Sequence, residues 1–210
     1  MAEHPWCRID LDVYERHMSD AQVGQLQALH TITGEQLADY RARAVGVLGV
    51  AGGNGLDLVD PETVQAVYGY DINPAYLDVC RTRYEPVFGD RLHLVECAIG
   101  PSLVLETTDL LIANLIVEYV GEREFAAFAA KNRASIKVLS CVTQLNNAAG
   151  LVSKTEFSDS FDGLASIAAD VDTGRFADAM VEGGFEAVKE RTYPLPNGKL
   201  LCRQDFRSPL

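Results

Sequence analysis

The chain has 210 residues, 48% of them hydrophobic, with 18 basic and 30 acidic side chains and a net charge of −12. That is one domain's length with apolar residues enough for a real core, which argues against disorder. The acidic balance, with no run of Lys or Arg to offset it, argues against a phosphate-tracking surface or docking on anionic lipid. Residues 12–43 are polar, with apolar positions at Val23, Leu26, Leu29, Ile32 and Leu37. That spacing predicts one or two amphipathic helices, with Ser19 or Asp20 as candidate caps for the helix carrying Val23 to His30 and Gly34 as a candidate break. At Ala44 the pattern changes. AVGVLGVAGGNG reads as a fully buried strand running into a tight glycine turn.

Strand and helix signals then alternate. Gln65–Asp71 is a short strand, and Asn73-Pro74 opens a helix through about Tyr84, with Asn as cap and Pro in the first turn. Leu92–Cys97 and Leu110–Asn114 are strands three and four. Arg123–Arg133 is helical, with Phe125, Phe128 and Ala129 on one face, and Ile136–Val142 is strand five. This order predicts an α/β fold, a mostly parallel sheet covered by helices on both faces. Two further strands, Phe185–Thr192 and Lys199–Phe206, flank Asn197-Gly198 and predict an antiparallel hairpin at one sheet edge. Residues 150–182 read as helices with a mobile loop near 154–162.

No segment of about 18 apolar residues occurs, so no membrane span is expected. The first twelve residues are acidic and lack an apolar core, unlike a signal peptide. The five cysteines (Cys7, Cys80, Cys97, Cys141, Cys202) are odd in number and widely spaced, without CxxC. They predict reduced thiols in a cytoplasmic protein, with no disulfide framework and no metal site.

The candidate site lies at the carboxyl ends of the strands, where open α/β sheets bind ligands. Gly53 and Gly55 would let a ligand approach the backbone and can adopt positive φ. Asp71, ending strand two, can accept two hydrogen bonds from a ribose diol, or else caps the following helix. Glu96 and Cys97 follow strand three, beside the place for a ligand's base. Asn114 follows strand four and would position the reacting end or serve as a cap.

The runs VLGVAGGNG, YGYDINP, LVEC, TDLLIANLIVEYV and IKVLSCV resemble the motif series of class I S-adenosylmethionine-dependent methyltransferases, from about residue 44 to 142. The resemblance implies a three-layer α/β/α sandwich with a seven-stranded sheet of order 3-2-1-4-5-7-6, the last strand antiparallel. It implies a helical N-terminal cap over residues 1–43 and a Rossmann-like domain over residues 44–210. By it, Ala51, Gly52, Gly53, Asn54 and Gly55 cradle the methionine part of S-adenosylmethionine. Asp71 binds the ribose, Ile72 packs on the adenine, Glu96 and Cys97 line the adenine edge, and Asn114 lies near the methyl group. The product would be S-adenosylhomocysteine. Two departures stand out: Gly49 replaces the usual acid and Ala51 a usual glycine, with Asp57 a candidate substitute for the acid's charge.

The stretch from Asp12 to Leu37 resembles the helical cap of small methyltransferases. There Tyr14, His17 and Met18 would face the cofactor and acceptor, Tyr14 offering a ring to the sulfonium; helix packing is the alternative for Tyr14 and Met18. Glu118, Tyr119 and His17 are the candidate catalytic bases, against capping for Glu118 and core packing for Tyr119. The expected activity is methyl transfer to O or N of a small molecule. A tRNA or protein acceptor stays open, as does the oligomeric state, a homodimer included. No Asn/Asp-Pro-Pro-aromatic run, as seen in nucleic-acid amine methyltransferases, follows strand four. The rivals are an aminopropyl transferase, whose glycine turn is similar but whose aspartate after strand four is Asn114 here, and a non-catalytic binding module. A short-chain dehydrogenase shares the glycine spacing but requires Tyr-x-x-x-Lys, which the chain lacks.

Overall fold

The computed structural model describes residues 3–146, 150 and 152–209. A 3-10 turn at Pro5–Arg8 leads into α1 (Leu11–Ser19) and α2 (Gln25–Tyr40). Then come β1 (Ala44–Leu48), β2 (Ala66–Asp71), α3 (Pro74–Phe88), β3 (Leu92–Glu96), β4 (Thr108–Asn114), α4 (Val117–Val120), α5 (Glu122–Lys131) and β5 (Ile136–Leu145). The chain ends with α6 (Thr173–Glu182), β6 (Glu186–Pro194) and β7 (Leu200–Arg207). All seven strands form one sheet of order β3-β2-β1-β4-β5-β7-β6. β7 is antiparallel to both its neighbours and the other pairings are parallel.

Strand alternation splits the core. Leu111 and Ala113 of β4 join Leu139 of β5 and Phe206 of β7 against Phe125, Phe128 and Phe176 on α5 and α6. Leu110 and Ile112 face the other way, with Val45 and Val67, toward Leu77, Cys80 and Phe88 of α3 and Leu37 of α2. Both faces of the central strands are therefore dry, which is why they read as continuous apolar runs. α3 begins where Asn73 Oδ1 accepts from Ala75 N at 3.0 Å, with Pro74 in the first turn.

Three local expectations change. Gly34 does not break a helix: α2 runs through it, and a Cβ there would meet only Leu58 at ordinary contact distance. Ser19 and Asp20 end α1 instead of starting α2, which follows Gly24 at φ +61°. In the 150–182 region, residues 158–166 form 3-10 turns with Phe161 and Leu164 buried.

Between α2 and the sheet lies a buried ionic cluster. Arg203, wholly buried on β7, places Nη2 2.6 Å from Asp205 and 2.8 Å from Asp39, and Nε 2.9 Å from Asp205. Tyr40 donates to Asp205 at 2.6 Å and Ser140 also donates to it. These partners compensate the desolvation of the pair, so removing one partner strands the other charge. Arg203→Ala is expected to lower the unfolding free energy by about 3–5 kcal/mol in urea titration; a loss under about 1 kcal/mol would show the cluster is dispensable.

Candidate ligand-binding and active site

The turn after β1 folds back over β2. Gly49 N and Val50 N both donate to Tyr70 O, at 2.8 and 3.1 Å. This delivers Ala51 N to Asp71 Oδ2 at 2.8 Å, while Asp71 Oδ1 accepts from Asn73 N at 2.9 Å. Burial pushes the Asp71 carboxyl pKa up, and these backbone N–H groups oppose the rise. Ala51 (φ +47°) and Leu115 (φ +58°) are non-glycine residues in the left-handed region, and both face the same cavity. Strain of that kind concentrates at functional sites.

That cavity encloses about 1180 Å³ of atom-free space, its mouth included. One end is walled by Gly49, Ala51, Asp71, Ile72, Tyr76 and Cys97–Ile99. Asn114 to Ile116 form the middle. The other end is walled by His17, Met18, Gln25, Glu118, Gln144, Val152, Phe161 and Leu164. A smaller space of about 640 Å³ lies beside the glycine turn and shares Tyr14, Gly49, Ala51 and Asn114 with the first.

The N-terminal segment closes over the site. Asn73 Nδ2 donates to Trp6 O at 3.0 Å, Tyr76 Oη to Ile9 O at 2.8 Å, and Cys7 Sγ to Ile72 O at 3.4 Å. The Trp6 ring meets Tyr14 and Tyr119 edge to face, at 5.8 and 5.1 Å, and Tyr14 stacks with Tyr76 at 6.2 Å.

Three candidate bases line this cavity in different electrostatic states. Glu118 is 2% exposed. Its Oε1 accepts from Gln144 N at 2.6 Å, and among the described residues Oε2 meets no hydrogen-bond partner. Burial pushes its carboxyl pKa up to about 7. His17 shares a 2.7 Å hydrogen bond through Nδ1 with Thr155 Oγ1 and packs 4.4 Å from the Phe161 ring. Burial lowers its pKa, so it sits neutral at pH 7. Tyr119 is pushed up by burial, then by Glu118, so its phenol stays protonated. Asn114 is held from α2: Oδ1 accepts from Gln36 at 3.1 Å and Nδ2 donates to Thr33 at 3.3 Å. Those bonds orient its amide without any capping role.

Of the other sequence-derived candidates, Tyr14, Met18, Ala51, Asp71, Ile72 and Cys97 also line the large cavity. Gly52, Asn54 and Gly55 line only the smaller one. Gly53 lines neither: a Cβ there would lie 2.4 Å from the Tyr84 ring, so its bare Cα serves the packing of α3 and not ligand approach. At Gly55 the neighbour is Thr33 of α2. Glu96 is exposed and outside the wall. Asp57 pairs with His30 at 2.7 Å and lines neither cavity. At Gly49 (φ +68°) a Cβ would fall 2.3 Å from Ile116 Cδ1, so an acid there would need Ile116 to move. The sequence reading missed Trp6, Tyr76, Gln25 and Gln144. The single tryptophan was the one signal available; the rest come together only through the fold.

No family model matches the chain, and no curated protein matches it. Solved structures do. The magnesium protoporphyrin IX methyltransferase ChlM of Synechocystis PCC 6803, solved with bound S-adenosylmethionine (SAM), matches with TM-score 0.66 at 13% identity over 94% of this chain and 90% of its own. The N-methyltransferase NodS of Bradyrhizobium japonicum WM9, with S-adenosylhomocysteine (SAH), matches with TM-score 0.67 at 12% identity over 95% and 98%. The [4+2]-cyclase SpnF matches equally well, with TM-score 0.67 at 10% identity over 88% and 83%. The chain thus has the fold of the class I S-adenosylmethionine-dependent methyltransferases. SpnF shows that this fold alone does not name the reaction.

Two outcomes follow from this geometry. Because the Glu118 pKa is raised, its stabilising contribution is full below about pH 4.5 and is lost as pH rises through 7, roughly 3 kcal/mol in all. Glu118→Gln should remove that slope in urea titrations from pH 4.5 to 8, leaving the Asp71 and His17 contributions in place; an unchanged slope would contradict the assignment. Gly53→Ala should cost about 2–4 kcal/mol of stability through its positive φ and the Tyr84 collision, with part recovered in a Tyr84→Ala background. Full stability with lost ligand binding would restore the approach role.

Proposed function

We propose that this protein is a SAM-dependent methyltransferase acting on an N or O of a small-molecule acceptor, with residues 44–210 as the cofactor-binding domain and 1–43 as its cap. The observation that carries this reading is Asp71. A buried carboxylate at the tip of β2 stands in the cavity wall, each oxygen taking one backbone N–H and keeping lone-pair capacity for a diol. The residues fit the cofactor in other respects. Ile72 and Cys97–Ile99 offer an apolar slot for a base. Tyr14 lines both cavities, where a ring face can meet a cation. With no acid at Gly49, Glu15 is the carboxylate in the wall of the smaller space, held by Arg83 at 2.5 and 2.9 Å. It is our candidate to orient an amino group.

When bound, the cofactor would supply a methyl group activated by its sulfonium. The chain's part is to align the acceptor and exclude water. Asn114, fixed by Gln36 and Thr33, orients what binds between the two ends. Glu118 takes a proton from an acceptor that must lose one. Trp6 and the N-terminal segment cover the mouth.

A melting scan with SAM, SAH, decarboxylated SAM and NAD(P) tests this. The first two should stabilise the protein by about 2.7 kcal/mol at 100 times their dissociation constants. Stabilisation by the decarboxylated form alone would favour aminopropyl transfer. Asp71→Ala should weaken SAH binding by about 1–3 kcal/mol, roughly 5- to 150-fold, in calorimetry; unchanged affinity would remove Asp71 from the site. Gly49 and Ala51 support one second reading, a module that binds the cofactor without transferring its methyl group.

A further inference from the structure

We infer that the end of the cavity beyond Asn114 binds a small amine in its ammonium form, carried on an apolar or aromatic body, with the Glu118 carboxylate as its partner. This rests on the methyltransferase reading above and deepens it by naming the acceptor's class.

Four observations converge. No Lys or Arg among the described residues lines the cavity, while Asp71 and Glu118 both do. A phosphate, carboxylate or phenolate acceptor at that end would meet the Glu118 acid and no Lys or Arg. Lys199 is close enough to lower the His17 pKa, but it is not in the wall. Next, Glu118 Oε2 is buried without a hydrogen-bond partner among the described residues. A buried acceptor in that state costs free energy until a donor arrives. Third, the rings of Trp6, Tyr14 and Tyr119 meet at the same cavity, and aromatic faces attract cations. Last, Met18, Leu115, Val152, Phe161 and Leu164 supply an apolar wall for the body of the molecule. An alcohol would satisfy the second and fourth of these; an ammonium satisfies all four.

The proton balance closes. The ammonium gives one N–H proton to the Glu118 carboxylate, which frees the lone pair that takes the methyl group. The methylated nitrogen carries the positive charge that leaves the sulfonium, and Glu118 returns its proton to water. His17, neutral and tied to Thr155, need not take part.

Matched probes on the intact protein test this by binding rather than turnover. 2-Phenylethylamine, 2-phenylethanol and 3-phenylpropanoate, and the indole set tryptamine, tryptophol and indole-3-propionate, would be titrated calorimetrically with and without saturating SAH. In at least one set the amine should bind ten or more times tighter than the alcohol, and the carboxylate weakest. Glu118→Gln should erase that preference while leaving SAH affinity within twofold. The inference is overturned if the carboxylates bind as well as the amines, or if Glu118→Gln leaves amine affinity unchanged or weakens SAH instead. Should the variant misfold, the ranking within each set on the unmodified protein decides alone. SAH binding without amine preference leaves methyl transfer standing and removes the amine. Glu118-dependent amine binding without SAH binding does the reverse.

Discussion

One buried carboxylate holds the site together. Asp71 ties the turn after β1 through Ala51 N and the start of α3 through Asn73 N. Asn73 in turn caps α3 through Ala75 N and reaches Trp6 O, and the Trp6 ring meets Tyr119 of α4. A single side chain at the tip of β2 thereby sets the shape of the glycine turn, the entry of a helix and the placing of the N-terminal segment. Charge-assisted bonds to backbone N–H groups are among the stronger hydrogen bonds available for this. They also oppose the rise that burial gives the Asp71 pKa.

Among the described residues three acids are buried, and each is treated differently. Asp205 is neutralised by Arg203 and further satisfied by Tyr40 and Ser140, so it serves structure. Asp71 is satisfied by backbone donors alone and keeps capacity for a ligand. Glu118 has one backbone donor and one unmet oxygen. The gradient from fully to partly compensated runs from the far side of α2 into the cavity. A side-chain chain spans that distance: Asn114, Gln36, Ser140 and Asp205 are hydrogen-bonded in sequence. The structural cluster and the cavity therefore share a rigid support.

The sheet was legible because its strands are buried on both faces and read as apolar runs punctuated by Gly, Asn-Pro and Asn-Gly. β1, β2 and the β6–β7 hairpin fall within two residues of their expected places. Asp71 was legible too, as the acid that ends the second strand. What the sequence hid is long-range. Gly53 was assigned to ligand approach because a glycine's neighbours cannot be seen locally; the space is taken by Tyr84 of α3. Glu96 sits one residue too early on an edge strand to face the cavity, where Cys97 does. Trp6, Tyr76 and Gln144 lie far apart in the chain, and no periodicity joins them. The raised pKa of Glu118 is a property of its burial and its single donor, neither of which a one-dimensional pattern carries.

The most direct check on this account is a crystal structure of the protein grown with S-adenosylhomocysteine. The ribose hydroxyls should lie on Asp71 with its bonds to Ala51 N and Asn73 N retained, and the base should lie between Ile72 and Cys97. A nucleoside bound elsewhere, or a complex in which Asp71 touches backbone alone, would contradict it.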